Sequence, residues 1–299
     1  MTLEQFNRIV EIRTKIISMG TFLSASMYAA LHTSQWSWKH CIVMLIAVLC
    51  VDMGTTGFNS YFDYTSGTDT KEYNLEKDKV LVHQGVSPLL ALGISLTLFG
   101  IAGMLGLLLA WWTSWKLLLI GAVSMSIGFI YTGGPFPISR TPVGELFAGG
   151  FLGTILFLIT TFVLTLSVTV QSFIVSIPHM LLIGLILTVN NTCDKVADIV
   201  AGRKTLTILL PEKINLLMMK GVLVISYLLP VLYAVLHLVP LYIIPLTLIA
   251  LVLSLRIFSS MEKRGFSLAT KGLSMGSISQ IFLLYCTSFI LSHFIQLIT

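Results

Sequence analysis

Apolar runs close to the roughly 20 residues that a helix needs to cross a bilayer recur from one end of this chain to the other. They lie near residues 16–34, 40–61, 88–110, 115–133, 143–168, 172–193, 214–236, 240–258 and 273–296. Only 10% of the 299 residues are charged, where a soluble domain carries about 25%. Mean hydropathy is +0.92. The expected fold is therefore all-α: a polytopic membrane protein of about nine transmembrane helices around a central cavity, forming one domain over residues 1–299.

The formal net charge of +5 follows membrane topology and is not the footprint of a nucleic-acid partner. With a cytoplasmic N-terminus, every Lys and Arg except Lys39 and Lys116 falls in an inside segment or, for Lys220 and Arg256, towards the inside end of a span, as the positive-inside rule requires. Trp36, Trp38, Trp111, Trp112 and Trp115 then gather at the outer interface, where amphipathic rings favour the headgroup layer. The first residues lack the basic start and cleavage site of a secretory signal. Instead Arg8, Arg13 and Lys15, mixed with Glu4 and Glu11, read as a short amphipathic helix at the membrane surface. Cys41, Cys50, Cys193 and Cys286 form no CxxC pair and read as packing residues.

Two polar stretches close apolar runs on the same side. The first, Asn59 to Asp69, contains Asp63; the second, Asn190 to Asp198, contains Asn191 and Asp194 and leads into Arg203 and Lys204. They recur four helices apart, which suggests an approximate repeat of four-helix units carrying Asp motifs at 59–69 and 190–198. Asn190, Asp194 and Asp198 share one helix face, as do Asn59 and Asp63. Asp69 falls on a different face, so the backbone is expected to unwind near Gly67 to bring it round.

Hard oxygen ligands of this kind suit Mg²⁺ shared with a substrate's phosphates. The reading is one metal–diphosphate site in which Asp63, Asp69, Asp194 and Asp198 hold the metal. Arg203, Lys204, Lys71, Lys77 and Lys79 are close enough in sequence to neutralise phosphate charge. Glu72, Glu76 and Asp78 read as solvated loop charges. Asp52, half-way along the second run, is either a buried structural acid or a cavity residue. Glu145 either caps a helix or meets an acceptor substrate. His83 reads as solvated. Tyr61, Tyr64 and Tyr131 either pack or line a pocket that stabilises positive charge. Gly133-Gly134-Pro135-Phe136-Pro137 is a turn.

These residues resemble the UbiA superfamily of intramembrane aromatic prenyltransferases. Three stretches are similar to its 1,4-dihydroxy-2-naphthoate polyprenyltransferase branch: Asn59-x-x-x-Asp63-x-x-x-Gly67-x-Asp69, Tyr131-Thr132-Gly133-Gly134-Pro135, and Asn190-Asn191-x-x-Asp194-x-x-x-Asp198 running on to Ala201-Gly202-Arg203-Lys204-Thr205-Leu206. Ser60 and Cys193 depart from that branch, which has Asp and Arg there. The resemblance implies Mg²⁺-dependent transfer of a polyprenyl group from its diphosphate to an aromatic ring. Asn59, Lys71, Tyr131, Arg140, Glu145, Asn190, Asn191, Arg203 and Lys204 would line the substrate site. It further implies 1,4-dihydroxy-2-naphthoate as acceptor, demethylmenaquinone and carbon dioxide as products, a bacterial-type cell membrane, and membrane lipid around the chain. A sibling enzyme using 4-hydroxybenzoate is the nearer alternative. A secondary transporter with intramembrane carboxylates is the alternative of another class.

Overall fold

In the computed structural model, which describes residues 2–70 and 79–299, every stretch read as a span is helical. The helices are α1 (Leu3–Ile9), α2 (Ile16–Leu31), α3 (Trp38–Thr65), α4 (Val80–His83), α5 (Pro88–Trp112), α6 (Lys116–Ile130), α7 (Gly144–Thr165), α8 (Val170–Cys193), α9 (Lys195–Val200), α10 (Leu206–Leu209), α11 (Glu212–Val235), α12 (Ile243–Arg264) and α13 (Lys271–Ile298). Among the described residues there is no strand. Lys71 and Lys77, expected near the diphosphate, lie outside the described residues.

Seven helices, α3, α5, α7, α8, α11, α12 and α13, are long and apolar enough to cross a membrane. The other two expected spans are shorter. α2 has 16 residues and α6 has 15, a rise of about 22–24 Å against a hydrocarbon core of about 30 Å. The expected set of nine therefore becomes seven full-length helices with two shorter ones among them.

Local sequence sets the helix ends. The Thr2 hydroxyl accepts the Gln5 N–H while the Gln5 side chain accepts the Thr2 N–H, a capping box that starts α1. Thr169 and Ser172 make the same box for α8, and α5 opens on Pro88, which needs no N–H partner there. α7 carries a π-helical turn over Gly150–Ile155, and α8 carries Pro178. The two helices meet so closely there that a Cβ on Gly153 would lie 2.5 Å from the Met180 nitrogen, so only glycine fits.

Packing divides the bundle in two. In the C-terminal part, α8, α11, α12 and α13 enclose a core of fully buried Tyr227, Tyr285, Phe258, Phe282 and Phe289. The N-terminal part is hollow: α3, α5, α6 and α7 surround a cavity of about 470 Å³ with mostly apolar walls. α2 and α7 contribute to the cores on both sides. At the end of α5 remote from the Asp motifs, Trp111 and Trp115 are exposed and Lys39 Nζ stands 3.7 Å over the Trp112 ring.

Candidate functional site

The site lies where α3 and α8 end. After Thr65 the helix stops, Gly67 takes a φ of +71°, and the Asp69 N–H donates to the Asp63 carbonyl at 3.0 Å. This is the unwinding expected from the motif spacing, and the left-handed backbone is one that glycine adopts without a Cβ penalty. In the second motif Asp194 terminates α8, and α9 restarts so closely in line that the Asp198 N–H still donates to the Asp194 carbonyl at 2.9 Å. Asn190 Nδ2 donates to Asp194 Oδ2 at 3.3 Å. Gly202, with φ +70°, then folds the chain back so that the Arg203 N–H donates to the Asp198 carbonyl at 2.9 Å.

Arg203 joins the two motifs. Its Nη2 lies 3.0 Å from Asp63 Oδ1 and its Nη1 lies 3.3 Å from Asp198 Oδ1. Burial alone would make this guanidinium easier to deprotonate, but Asp63, Asp198, Asp69 and Asp194 all act on it and raise its pKa instead. The four expected carboxylates thus surround one cation. Two of them, Asp194 and Asp69, also face lysines. Lys271 Nζ lies 2.8 Å from Asp194 Oδ2, and Lys79 Nζ lies 3.8 Å from Asp69 Oδ2 and 2.8 Å from Glu11 Oε1. Since each buried ion costs several kcal/mol when left unpaired, this pairing is what allows so many acids to sit at one helix end. Burial still pushes the Asp198 carboxyl up to about 6 against the pull of Arg203.

Other expected residues take distinct places. Tyr131 and Asn59 line the cavity, and Asn59 Oδ1 accepts the Thr132 hydroxyl. Tyr131 lies in the field of Glu145, Arg203 and Asp63. Arg140 Nη2 donates to Thr68 Oγ1 at 2.9 Å, and its carbonyl accepts the Lys204 N–H at 2.9 Å. The Lys204 side chain is exposed. Glu145 and Asn191 are buried and tie α7 to α8, with Asn191 Nδ2 donating to Glu145 Oε1 at 2.9 Å. Tyr61 packs against the small cluster of Ile9, Val80 and Val86, and Tyr64 and His83 are exposed. Ser60 turns away from the site, its hydroxyl donating to the Ile9 carbonyl at 3.2 Å.

Two cations were not among the expected site residues. Lys271 opens the last long helix far down the sequence, and only its place in the basic inside loop hinted at a role. Lys15, buried between α2 and α3, pairs with Asp52 at 2.7 Å.

The donor set fits a divalent ion in its chemistry. Asp198 Oδ2 is buried without a hydrogen-bond partner among the described residues, and the remaining carboxylate oxygens are hard ligands. No three His, Cys, Asp or Glu side chains come within metal-binding distance of one another among the described residues; the carboxylates face cations instead. Charge supports the same fit. Arg203, Lys79 and Lys271 are already matched by Asp63, Asp198, Asp69, Glu11 and Asp194, so a diphosphate entering here needs further positive charge.

The UbiA prenyltransferase family pattern matches residues 18–271. Over 172 residues the chain is 41% identical to a 1,4-dihydroxy-2-naphthoate octaprenyltransferase of Bacillus subtilis, which covers 58% of this chain and 55% of that protein. It is 27% identical over 198 residues to the protein of that name in Mycobacterium tuberculosis, 66% of each chain. The chain thus spans about half to two thirds of the length of these curated relatives. A UbiA homolog from Archaeoglobus fulgidus, solved bound to GPP and Mg²⁺, superposes with a TM-score of 0.70 at 16% identity, over 96% of this chain and 99% of that one. A solved digeranylgeranylglyceryl phosphate synthase gives 0.67 at 16% identity, over 97% and 98%.

Proposed function

The chain belongs to the UbiA prenyltransferase family, and from that premise we propose that it transfers a polyprenyl group from polyprenyl diphosphate to 1,4-dihydroxy-2-naphthoate. The products are demethylmenaquinol, the reduced form of demethylmenaquinone, together with diphosphate and carbon dioxide. The observation that carries this reading is Arg203, which bridges both Asp motifs above an apolar cavity of about 470 Å³. A site for a diphosphate and a space for a hydrocarbon tail are thereby joined.

Asp63, Asp69, Asp194 and Asp198 would hold Mg²⁺, which neutralises charge on the diphosphate as the carbon–oxygen bond ionises. Arg203 and Lys271 bind the same leaving group by charge-assisted hydrogen bonds. The apolar walls exclude water from the allylic cation, and the Tyr131 ring offers it a stabilising face. Asn59, on the same stripe of α3 as Asp63, orients the reacting end. An electron-rich ring then attacks the cation, and loss of carbon dioxide restores aromaticity.

The basic residues beside the motifs support a cytoplasmic site in a bacterial-type membrane. The matched Asp-x-x-x-Gly turns at 63–67 and 198–202 support a single domain built from two related units. Family membership leaves the transporter alternative without support.

The test is turnover by purified protein with polyprenyl diphosphate, Mg²⁺ and a panel of aromatic acceptors, with and without EDTA. The expected result is a prenylated naphthol with carbon dioxide, lost on chelation. Prenylation of 4-hydroxybenzoate instead would move the protein to a sibling activity, and no diphosphate-dependent product with any ring would overturn the reading.

A further inference from the structure

The N-terminal segment reaches the donor site through one residue that neither motif contains. After α1, Ile9 packs with Val80 and Val86, Val10 packs with Cys50 and Leu98, and the Ile9 carbonyl accepts the Ser60 hydroxyl. Glu11 then takes φ +46° and ψ +60°, a left-handed backbone that glutamate rarely adopts. The turn is fixed from both sides. The Glu11 N–H donates to the Arg8 carbonyl at 3.3 Å, and the Glu11 carbonyl accepts the Thr14 N–H and hydroxyl, each at 2.9 Å. Backbone strain of this kind persists where the surrounding structure enforces it, and it gathers at functional positions.

The strained turn aims the Glu11 carboxylate at the cations of the site. Oε1 accepts Lys79 Nζ at 2.8 Å, and the same Nζ stands 3.8 Å from Asp69 Oδ2, beyond hydrogen-bond reach. Burial alone would raise the Glu11 carboxyl, but Lys79, Lys15 and Lys271 together hold it below the usual carboxylate range. Glu11 thus faces the lysine before α4, the lysine of the cavity wall and the lysine that opens α13. With Glu11 as its counter-ion, Lys79 stands beside the first motif without closing on Asp69.

We propose that Glu11 is a positioning residue of the donor site, anchoring Lys79 so that its ammonium meets the diphosphate beside Asp69. This rests on the prenyltransferase reading above and adds to it a contribution from the N-terminal segment. An ammonium has three hydrogens to donate. Glu11 takes one, and the others can turn to phosphate oxygens. Lysine is a point charge on a flexible stem, so where that charge stands depends on what holds it. Anchoring from outside the motif also spares Asp69, a proposed metal ligand, from serving as the hydrogen-bond partner of Lys79.

The experiment is a double-mutant cycle read by equilibrium binding of inorganic diphosphate with Mg²⁺, which needs no turnover. Charge alone and positioning predict opposite signs. Deleting a carboxylate beside an anion site should tighten the anion by charge alone, whereas loss of the anchor in Glu11→Gln should weaken diphosphate about 10-fold. In a Lys79→Met background the same substitution should no longer weaken binding, because residues that act through one another are not additive. In turnover, Glu11→Gln should raise KM for polyprenyl diphosphate and leave KM for the aromatic acceptor in place. Tighter binding, equal losses in both backgrounds, or a change confined to thermal stability would each overturn the proposal while diphosphate binding by the wild type still supports the prenyltransferase reading. A wild type that does not bind diphosphate overturns both. If Glu11→Gln does not fold, Glu11→Asn gives the decision, since asparagine tolerates the left-handed backbone: it should show the same loss, and unchanged binding would contradict the anchor.

Discussion

The turn after α3 and the turn after α9 are built alike and deliver opposite charges. In both, a glycine four residues after an aspartate adopts a positive φ, +71° at Gly67 and +70° at Gly202, and a following N–H returns to the aspartate's carbonyl. The first turn brings back Asp69, and the second brings back Arg203. Because the second motif presents a guanidinium, it can reach across to Asp63 in the first. Two copies of the first turn would have placed only carboxylates face to face, and their repulsion would have held the motifs apart. The difference between the turns is what lets one site form from both.

The largest effect that could break this comparison comes from the aspartates. Asp63→Asn and Asp198→Asn should each reduce turnover on the order of 10³-fold while the protein still folds, measured as product formation at saturating donor. If the second motif were only a scaffold for Arg203, Asp198→Asn would stay close to wild type. Next comes the bridge itself. Arg203→Lys keeps the charge but cannot span both carboxylates in one plane, and kcat/KM for the donor should fall about 10- to 100-fold. An unchanged value would mean that the bridge contributes only its charge.

The pH profile sharpens the contrast further. With burial holding the Asp198 carboxyl at about 6, lowering the pH through that value protonates a proposed metal ligand. Apparent Mg²⁺ affinity should then fall by about tenfold per pH unit below it, and Asp198→Asn should remove that dependence. The smallest effects belong to the two glycines. Gly67→Ala and Gly202→Ala should each cost about 1 kcal/mol, since alanine is strained at positive φ, and thermal unfolding in detergent should report similar losses. A loss at one turn alone would show that the two are not equivalent.

Much of this was legible in the sequence because it is local. Apolar runs of bilayer length give helices, and the offset of Asp69 from Asp63 demanded an unwound Gly67. The spacing of Asn190, Asp194 and Asp198 gave a shared face. Partners separated by long stretches of chain were not legible. Nothing near Asp194 names Lys271 as its partner, and nothing near Asp52 points to Lys15, because helix packing decides those pairs. The hollow N-terminal part and solid C-terminal part were equally hidden. Both consist of apolar helices, yet 61% of the most apolar stretch of α8 is buried against 17% of that of α5. The lengths of two of the nine expected spans were hidden for a related reason: hydropathy finds the apolar segments α2 and α6 but not the turns that shorten them.

The central claim is that both motifs form one metal–diphosphate site, and it is tested most directly by titrating a polyprenyl diphosphate into wild-type, Asp63→Asn and Asp198→Asn proteins with and without Mg²⁺. The wild type should bind far more tightly with Mg²⁺, and each single variant should lose that Mg²⁺-dependent gain. Retention of the full gain by either variant would show that one motif binds the metal and diphosphate without the other, and would contradict the account.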